Sequence, residues 1–195
     1  MTSRTKRIAA VAAAALIAGL ALSGCSMNSA MNNPPAANSQ NAATDFSGSD
    51  IMFAQMMIPH HQQAVDMGTL AETRAFSPEV KALAATIKAE QAPEISQMQG
   101  WLAASGASTD MGHDMGHDMA MGGMLSADEF KALENATGAE FDKLFLEGMI
   151  AHHEGAIDMA QMIVDSSNTE AKALAAAIIS SQTEQIDYMK SLLAN

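Results

Sequence analysis

The sequence predicts an all-α fold: four long helices forming two antiparallel hairpins that are copies of each other. Three observations carry this. Residues 50–67, DIMFAQMMIPHHQQAVDM, recur at 142–159 as DKLFLEGMIAHHEGAIDM, pairing Phe53 with Phe145, Met57 with Met149, His60-His61 with His152-His153, and Asp66-Met67 with Asp158-Met159. A second register matches Leu83, Gln91, Ile95 and Met98 to Leu174, Gln182, Ile186 and Met189. Its offset is 91 rather than 92, so the two hairpin turns differ by one residue. Finally, the apolar residues keep a helical period throughout, and no alternating β-branched run of strand length occurs.

The elements follow in order. The first helix opens near Ser47-Gly48-Ser49-Asp50 and runs to about Arg74. Ser77-Pro78-Glu79 starts the second, with Ser as cap and Pro at the first helical position, and it runs to about Ala103. Ser126-Ala127-Asp128-Glu129 is a capping box opening a short helix to about Asn135. Thr137-Gly138-Ala139-Glu140 reads as another, opening a helix expected to reach about Val164, and Asn168-Thr169-Glu170 starts the last. Short turns make each pair a hairpin, while residues 104–125 form one long crossover. Two hairpins and one crossover describe a ferritin-like four-helix bundle over 48–195.

The first 24 residues read as a lipoprotein signal peptide. Arg4, Lys6 and Arg7 precede an apolar stretch from Ile8 to Leu22, which is too short and Ala-rich for a stable membrane span. It ends in Leu22-Ser23-Gly24-Cys25, which resembles the bacterial signal whose Cys is acylated; an ordinary secretory signal with a stray Cys is the alternative. Lipidated Cys25 would anchor an extracytoplasmic domain to the membrane, and residues 25–47, Asn-, Ser-, Ala- and Pro-rich, would be its flexible tether. Cys25 is the only cysteine, so neither a disulfide nor a second thiolate is available.

Charge excludes one class of partner. Beyond the first 24 residues, 7 basic side chains face 22 acidic ones, net −15. Nucleic-acid binding needs Lys and Arg to displace counterions, so no nucleic-acid partner is expected. An acidic surface concentrates cations, or simply keeps the protein soluble.

The six histidines fall in three clusters, two in the repeats and one between them, and 17 methionines accompany them. At 100° per residue, with Met57 at 0°, His61 falls at about 40° on the centre of the apolar stripe with Phe53, Ala64 and Gly68. His60 falls at about 300° on the flank, beside Met67 and Met56, and Asp66 at about 180°, away from the interior. The second repeat places Met149 with His153 inward and His152 with Met159 on the flank, with Gly148 at the position of Met56. A lone buried histidine is usually a hydrogen-bonded core residue, and that reading stays open. Four imidazoles sharing one interior would be costly without a proton or a metal to satisfy them.

The partner atoms indicate which metal. Di-iron bundles use Glu-x-x-His, whereas this chain has Met57-x-x-His60 and Met149-x-x-His152 at that spacing. A thioether suits Cu(I) or Ag(I) and is a poor ligand for Fe(III) or Mn. Pro59 interrupts the helix beside His60, either as a conflict near a functional site or as a tolerated kink.

The crossover carries the third cluster: Met111, His113, Met115, His117, Met119, Met121 and Met124, five Met and two His in fourteen residues spaced by Gly and Asp. Such a stretch cannot pack a core, so these methionines read as exposed soft-metal donors, or as an incidental low-complexity linker.

The doubled MIPHHQQAVDM and MIAHHEGAIDM motif resembles a bacterial family of secreted ferritin-like bundles long catalogued as a domain of unknown function. The resemblance spans about residues 45–195. It implies a four-helix bundle and, for at least some members, copper binding through Met and His, carried onto Met57, His60, His61, Met149, His152 and His153. The expected function is thus an extracytoplasmic, lipid-anchored copper binder, for Cu(I) first with Cu(II) or Ag(I) as alternatives, which sequesters, buffers or transfers the ion to a partner the sequence does not name. No enzymatic constellation is legible; a ferritin-like metal oxidase and a metal-free partner-docking bundle are the rivals.

Overall fold

The computed structural model describes residues 45–110 and 122–194, all within one compact unit, Ser39–Asn195. The signal, Cys25 and most of the tether lie outside the described residues. The fold is all-α: α1 Gly48–Arg74, α2 Pro78–Ser105, α3 Ala127–Asn135, α4 Gly138–Ala160, a 3-10 turn Gln161–Ile163, and α5 Thr169–Leu193. Among the described residues there is no strand, and no helix is long and apolar enough to cross a membrane.

Most helix starts follow from local chemistry. Ser47 and Asp50 form a reciprocal capping box on α1, and Ser126 and Glu129 form another on α3. The Ser77 hydroxyl accepts from Glu79 and Val80 with Pro78 in the first turn of α2, and Asn168 caps α5. The α4 start departs from expectation. Thr137 makes no capping bond, because Gly138 enters the helix at φ +69° and pairs with Ala75 in an isolated bridge to the other hairpin. The end of α4 also differs: the helix stops at Ala160, and the stretch expected to continue to Val164 tightens into the 3-10 turn. Such tightening is a common way to satisfy the last carbonyls of a helix.

The hairpins α1–α2 and α4–α5 meet along α1 and α4. Phe53, Met56 and Met57 share one apolar cluster with Ala156, Met159 and Met98; Met67 and Ala71 share the other with Phe141, Phe145, Met149 and Met189. The two central helices are therefore antiparallel, and the repeats are related by an approximate two-fold. Phe53, Met57 and Met98 in one cluster and Phe141, Phe145 and Met149 in the other are fully buried, at roughly 1.5–3 kcal/mol apiece. Asp142, at the start of α4, ties the hairpins together: its carboxylate accepts from the backbone N–H of Phe76 at 2.9 Å and of Ser77 at 2.8 Å.

Candidate metal centre

All four repeat histidines are fully buried, on a level between the two apolar clusters. His60 and His152 meet across the α1–α4 contact, with ring centroids 3.7 Å apart and planes inclined at 38°. His61 and His153 diverge from them. His61 lies 6.5 Å from His60 and reaches Glu94 on α2; His153 lies 6.2 Å from His152 and reaches Gln185 on α5. This corrects the helical wheel, which put His61 and His153 at the shared centre and their neighbours on the flank. The flank is where α1 and α4 touch, so the flank histidines meet, and each supposed central histidine turns into its own hairpin.

The methionines rearrange likewise. Met56, Met57 and Met159 share one cluster, and Met67 and Met149 the other, so the two methionines expected to flank His60 are divided between the clusters. Each cluster thus holds the Asp-Met methionine of one repeat and the motif methionine of the other. Asp66 and Asp158 are exposed.

The hydrogen bonds set the tautomers. Each Nε2 faces an oxygen: His60 that of Gly122 at 3.1 Å, His152 the carbonyl of His60 at 2.8 Å, His61 the Glu94 carboxylate at 2.7 Å, and His153 the Gln185 amide oxygen at 2.6 Å. Oxygen acceptors require a proton on Nε2, so each ring in its neutral form keeps its lone pair on Nδ1. All four Nδ1 atoms are buried without a hydrogen-bond partner. For His60, His152 and His153 the charged form is disfavoured as well. Burial pushes His60 down to about 3, reinforced by His61 and His153 and opposed by the bond to Gly122. Burial likewise lowers His153 to about 4 and holds His152 well below 6.5, with His60 next. These three rings are neutral at physiological pH, the form a metal requires.

Gln91 and Gln182, repeat counterparts on α2 and α5, join the buried polar side chains, and their amides leave Gln91 Nε2 and Oε1 and Gln182 Oε1 unpartnered. Leaving such groups unsatisfied costs about 1–3 kcal/mol each. Among the described residues no three His, Cys, Asp or Glu side chains form a group able to enclose an ion. Any further ligand beside these imidazoles would have to be a thioether, an amide, or a residue outside the described ones. Met111, His113, Met115, His117, Met119 and Met121 fall in that last set.

The model of the family described as a domain of unknown function, DUF305, matches residues 50–193. The chain belongs to the DUF305 family. Solved structures agree. A DUF305 protein from Streptomyces coelicolor is 33% identical, with 75% of this chain and 91% of that one covered and a TM-score of 0.69. A DUF305 fragment from Deinococcus radiodurans is 29% identical, with 76% and 97% covered and a TM-score of 0.69. CopM in its Cu(I)-bound form is 31% identical, with 77% and 98% covered and a TM-score of 0.63, and CopM is also known in Cu(II)- and Ag-bound forms. No curated protein matches.

In this DUF305 chain the ends of the crossover are tied to α1 around His60. Gln55 donates to the carbonyl of Ser108 at 2.7 Å, and Gln63 exchanges two bonds with Leu125, at 3.0 and 2.8 Å. The second repeat makes room for this. Gly148, Ala151 and Gly155 replace Met56, Pro59 and Gln63 and line one face of α4. A β-carbon on Gly148 would press on Leu125, and one on Gly155 would strike the Gly122 carbonyl; Gly123, at φ +82°, packs against Ala151 too closely for any side chain. Met124, expected to be an exposed donor, is instead half-buried and lines a pocket of about 310 Å³ with Leu125, Leu133, Leu144 and Gly148. Its apolar neighbours on α3 and α4 hold it.

Sequence reasoning missed Glu94 and Gln185 as partners of His61 and His153, Gln91 and Gln182 as further buried polar side chains, and Gly122 as the acceptor for His60. The repeat did contain a signal for Glu94, Gln185, Gln91 and Gln182: each sits at a matched position of the second register, and a polar residue kept on a buried stripe in both copies marks a polar layer.

Proposed function

We propose that the protein binds a soft cation outside the cytoplasm, Cu(I) first, with Ag(I) and Cu(II) as further guests, and sequesters, buffers or hands on the ion without turning over a substrate. The observation that carries this reading is the set of four buried Nδ1 lone pairs lying between two methionine-bearing clusters. Imidazole and thioether together are good donors for Cu(I) and poor ones for Fe(III). A relative about a third identical, CopM, is known with Cu(I), Cu(II) and Ag bound, which supports the same reading here. The four long helices are read as a ferritin-like bundle that retains the ion, and the Met/His crossover as the segment that captures it. The signal sequence supports anchoring through lipidated Cys25, and the Streptomyces relative, described as a secreted protein, supports the same compartment.

The test is anaerobic Cu(I) competition against a chelator of known affinity, using residues 25–195. Affinity falls sharply when His60, His61, His152 and His153 are all changed to Ala, and partly when residues 111–124 are deleted. Full copper stoichiometry after both changes would refute the proposal.

A further inference from the structure

Two of the buried imidazoles are steered from outside the apolar interior. Glu94 and Gln185, 91 residues apart in the repeat, present an oxygen to Nε2 of His61 and His153 respectively. A carboxylate can offer only oxygen, whereas an amide can turn either its oxygen or its NH2 toward a ring. Glu90 makes that choice for Gln185. The Gln185 amide nitrogen donates to Glu90 Oε2 at 2.6 Å. Because the carboxylate only accepts, it takes the NH2 end and leaves the oxygen for His153. Glu90 is exposed and lines a groove between α2 and α5 with Glu184 and Gln185.

We infer that Glu94 and Glu90 are positioning residues for the metal ion. Glu94 directly, and Glu90 through Gln185, hold His61 and His153 as Nε2–H tautomers with Nδ1 bare. The anionic partner also makes His61 the stronger donor of the two. This rests on the reading that the buried layer takes a soft cation. A carboxylate on the far nitrogen raises the basicity of a ligating imidazole, and losing such a partner typically costs about 10–100-fold in metal affinity. The approximate symmetry of the repeats therefore ends at these two positions: the same ring receives a charged acceptor in one half and a neutral one in the other.

Long-range 1H–15N correlation spectra of the metal-free chain at pH 8 test the tautomers. The wild type shows His61 and His153 protonated at Nε2. Glu90→Lys replaces an acceptor with a donor, turns the Gln185 amide over and moves the His153 proton to Nδ1, while His61 is unchanged. Glu94→Gln keeps an oxygen available but removes the charge, and lowers Ag(I) affinity about tenfold; Glu94→Ala lowers it further. Thermal unfolding of each variant confirms that it is folded. If the wild-type tautomers are as stated but Ag(I) does not bind, the cation reading fails and takes the positioning role with it. If Ag(I) binds the wild type, and Glu90→Lys leaves the His153 tautomer and the affinity unchanged, the positioning role alone is wrong.

Discussion

A β-carbon on Gly155 would lie 1.7 Å from the carbonyl oxygen of Gly122, the same oxygen that accepts from His60 Nε2. The last residues of the crossover thus rest directly on α4, over the His60–His152 pair. Gly155→Ala must push that backbone away, and the contact is with main chain rather than with a flexible side chain. We expect a loss of about 1–3 kcal/mol, as for other overpacked interiors, measured by urea unfolding, and a faster exchange of the His60 ring N–H.

Acid should weaken the fold well before its carboxylates protonate. His60 and His153 titrate near 3 and 4 in the folded chain, both lowered by burial, against about 6.5 when unfolded. As pH falls through 6.5 the unfolded chain takes up protons first, so stability is fully present above that value and declines toward the folded values. The loss between pH 7 and 5 is about 2 kcal/mol per histidine. Urea midpoints at pH 7.5, 6.5 and 5.5 measure it, and changing His60 and His153 to Gln flattens the slope.

A cation bound in the layer stabilises the native state by linkage. At a free Ag(I) concentration a hundred times the dissociation constant, the gain is about 2.7 kcal/mol, which raises Tm by roughly 5–10 °C for a chain of this size. Differential scanning calorimetry should show that rise in the wild type and none when the four buried histidines are replaced by Ala.

Asp142 supplies both acceptors for the backbone N–H groups that turn α1 into α2. Asp142→Ala leaves the N–H groups of Phe76 and Ser77 without these acceptors and is expected to cost about 1–3 kcal/mol, while Asp142→Asn recovers part of it. Phe76, 76% exposed, should not matter: Phe76→Ser leaves chemical-denaturation midpoints nearly unchanged.

Anchoring is tested separately. Cys25→Ser is expected to move the protein from the membrane fraction to the soluble one and to abolish labelling by a radioactive fatty acid, because an acyl chain holds the membrane by about 0.8 kcal/mol per buried methylene.

Much of the fold was legible in the chain because helices announce themselves locally. Ser47, Ser77, Ser126 and Asn168 cap where their side chains can reach the first free N–H groups, and the 3.6-residue period marks what is buried. The duplication made the hairpins visible without any contact being known. Thr137 broke the pattern because a bridge from Ala75 to Gly138, distant in sequence, governs that start.

By itself the sequence determined the helices, their pairing into two like hairpins, and a set of His and Met residues on their buried faces, since caps, turns and the helical period depend on neighbours within a few residues and the duplication repeats them. Only the tertiary structure decided which histidines meet. A wheel ranks residues around one axis, but contact depends on where the partner helix lies, and the approach of α1 to α4 along the flank joined His60 to His152 and sent His61 and His153 to Glu94 and Gln185.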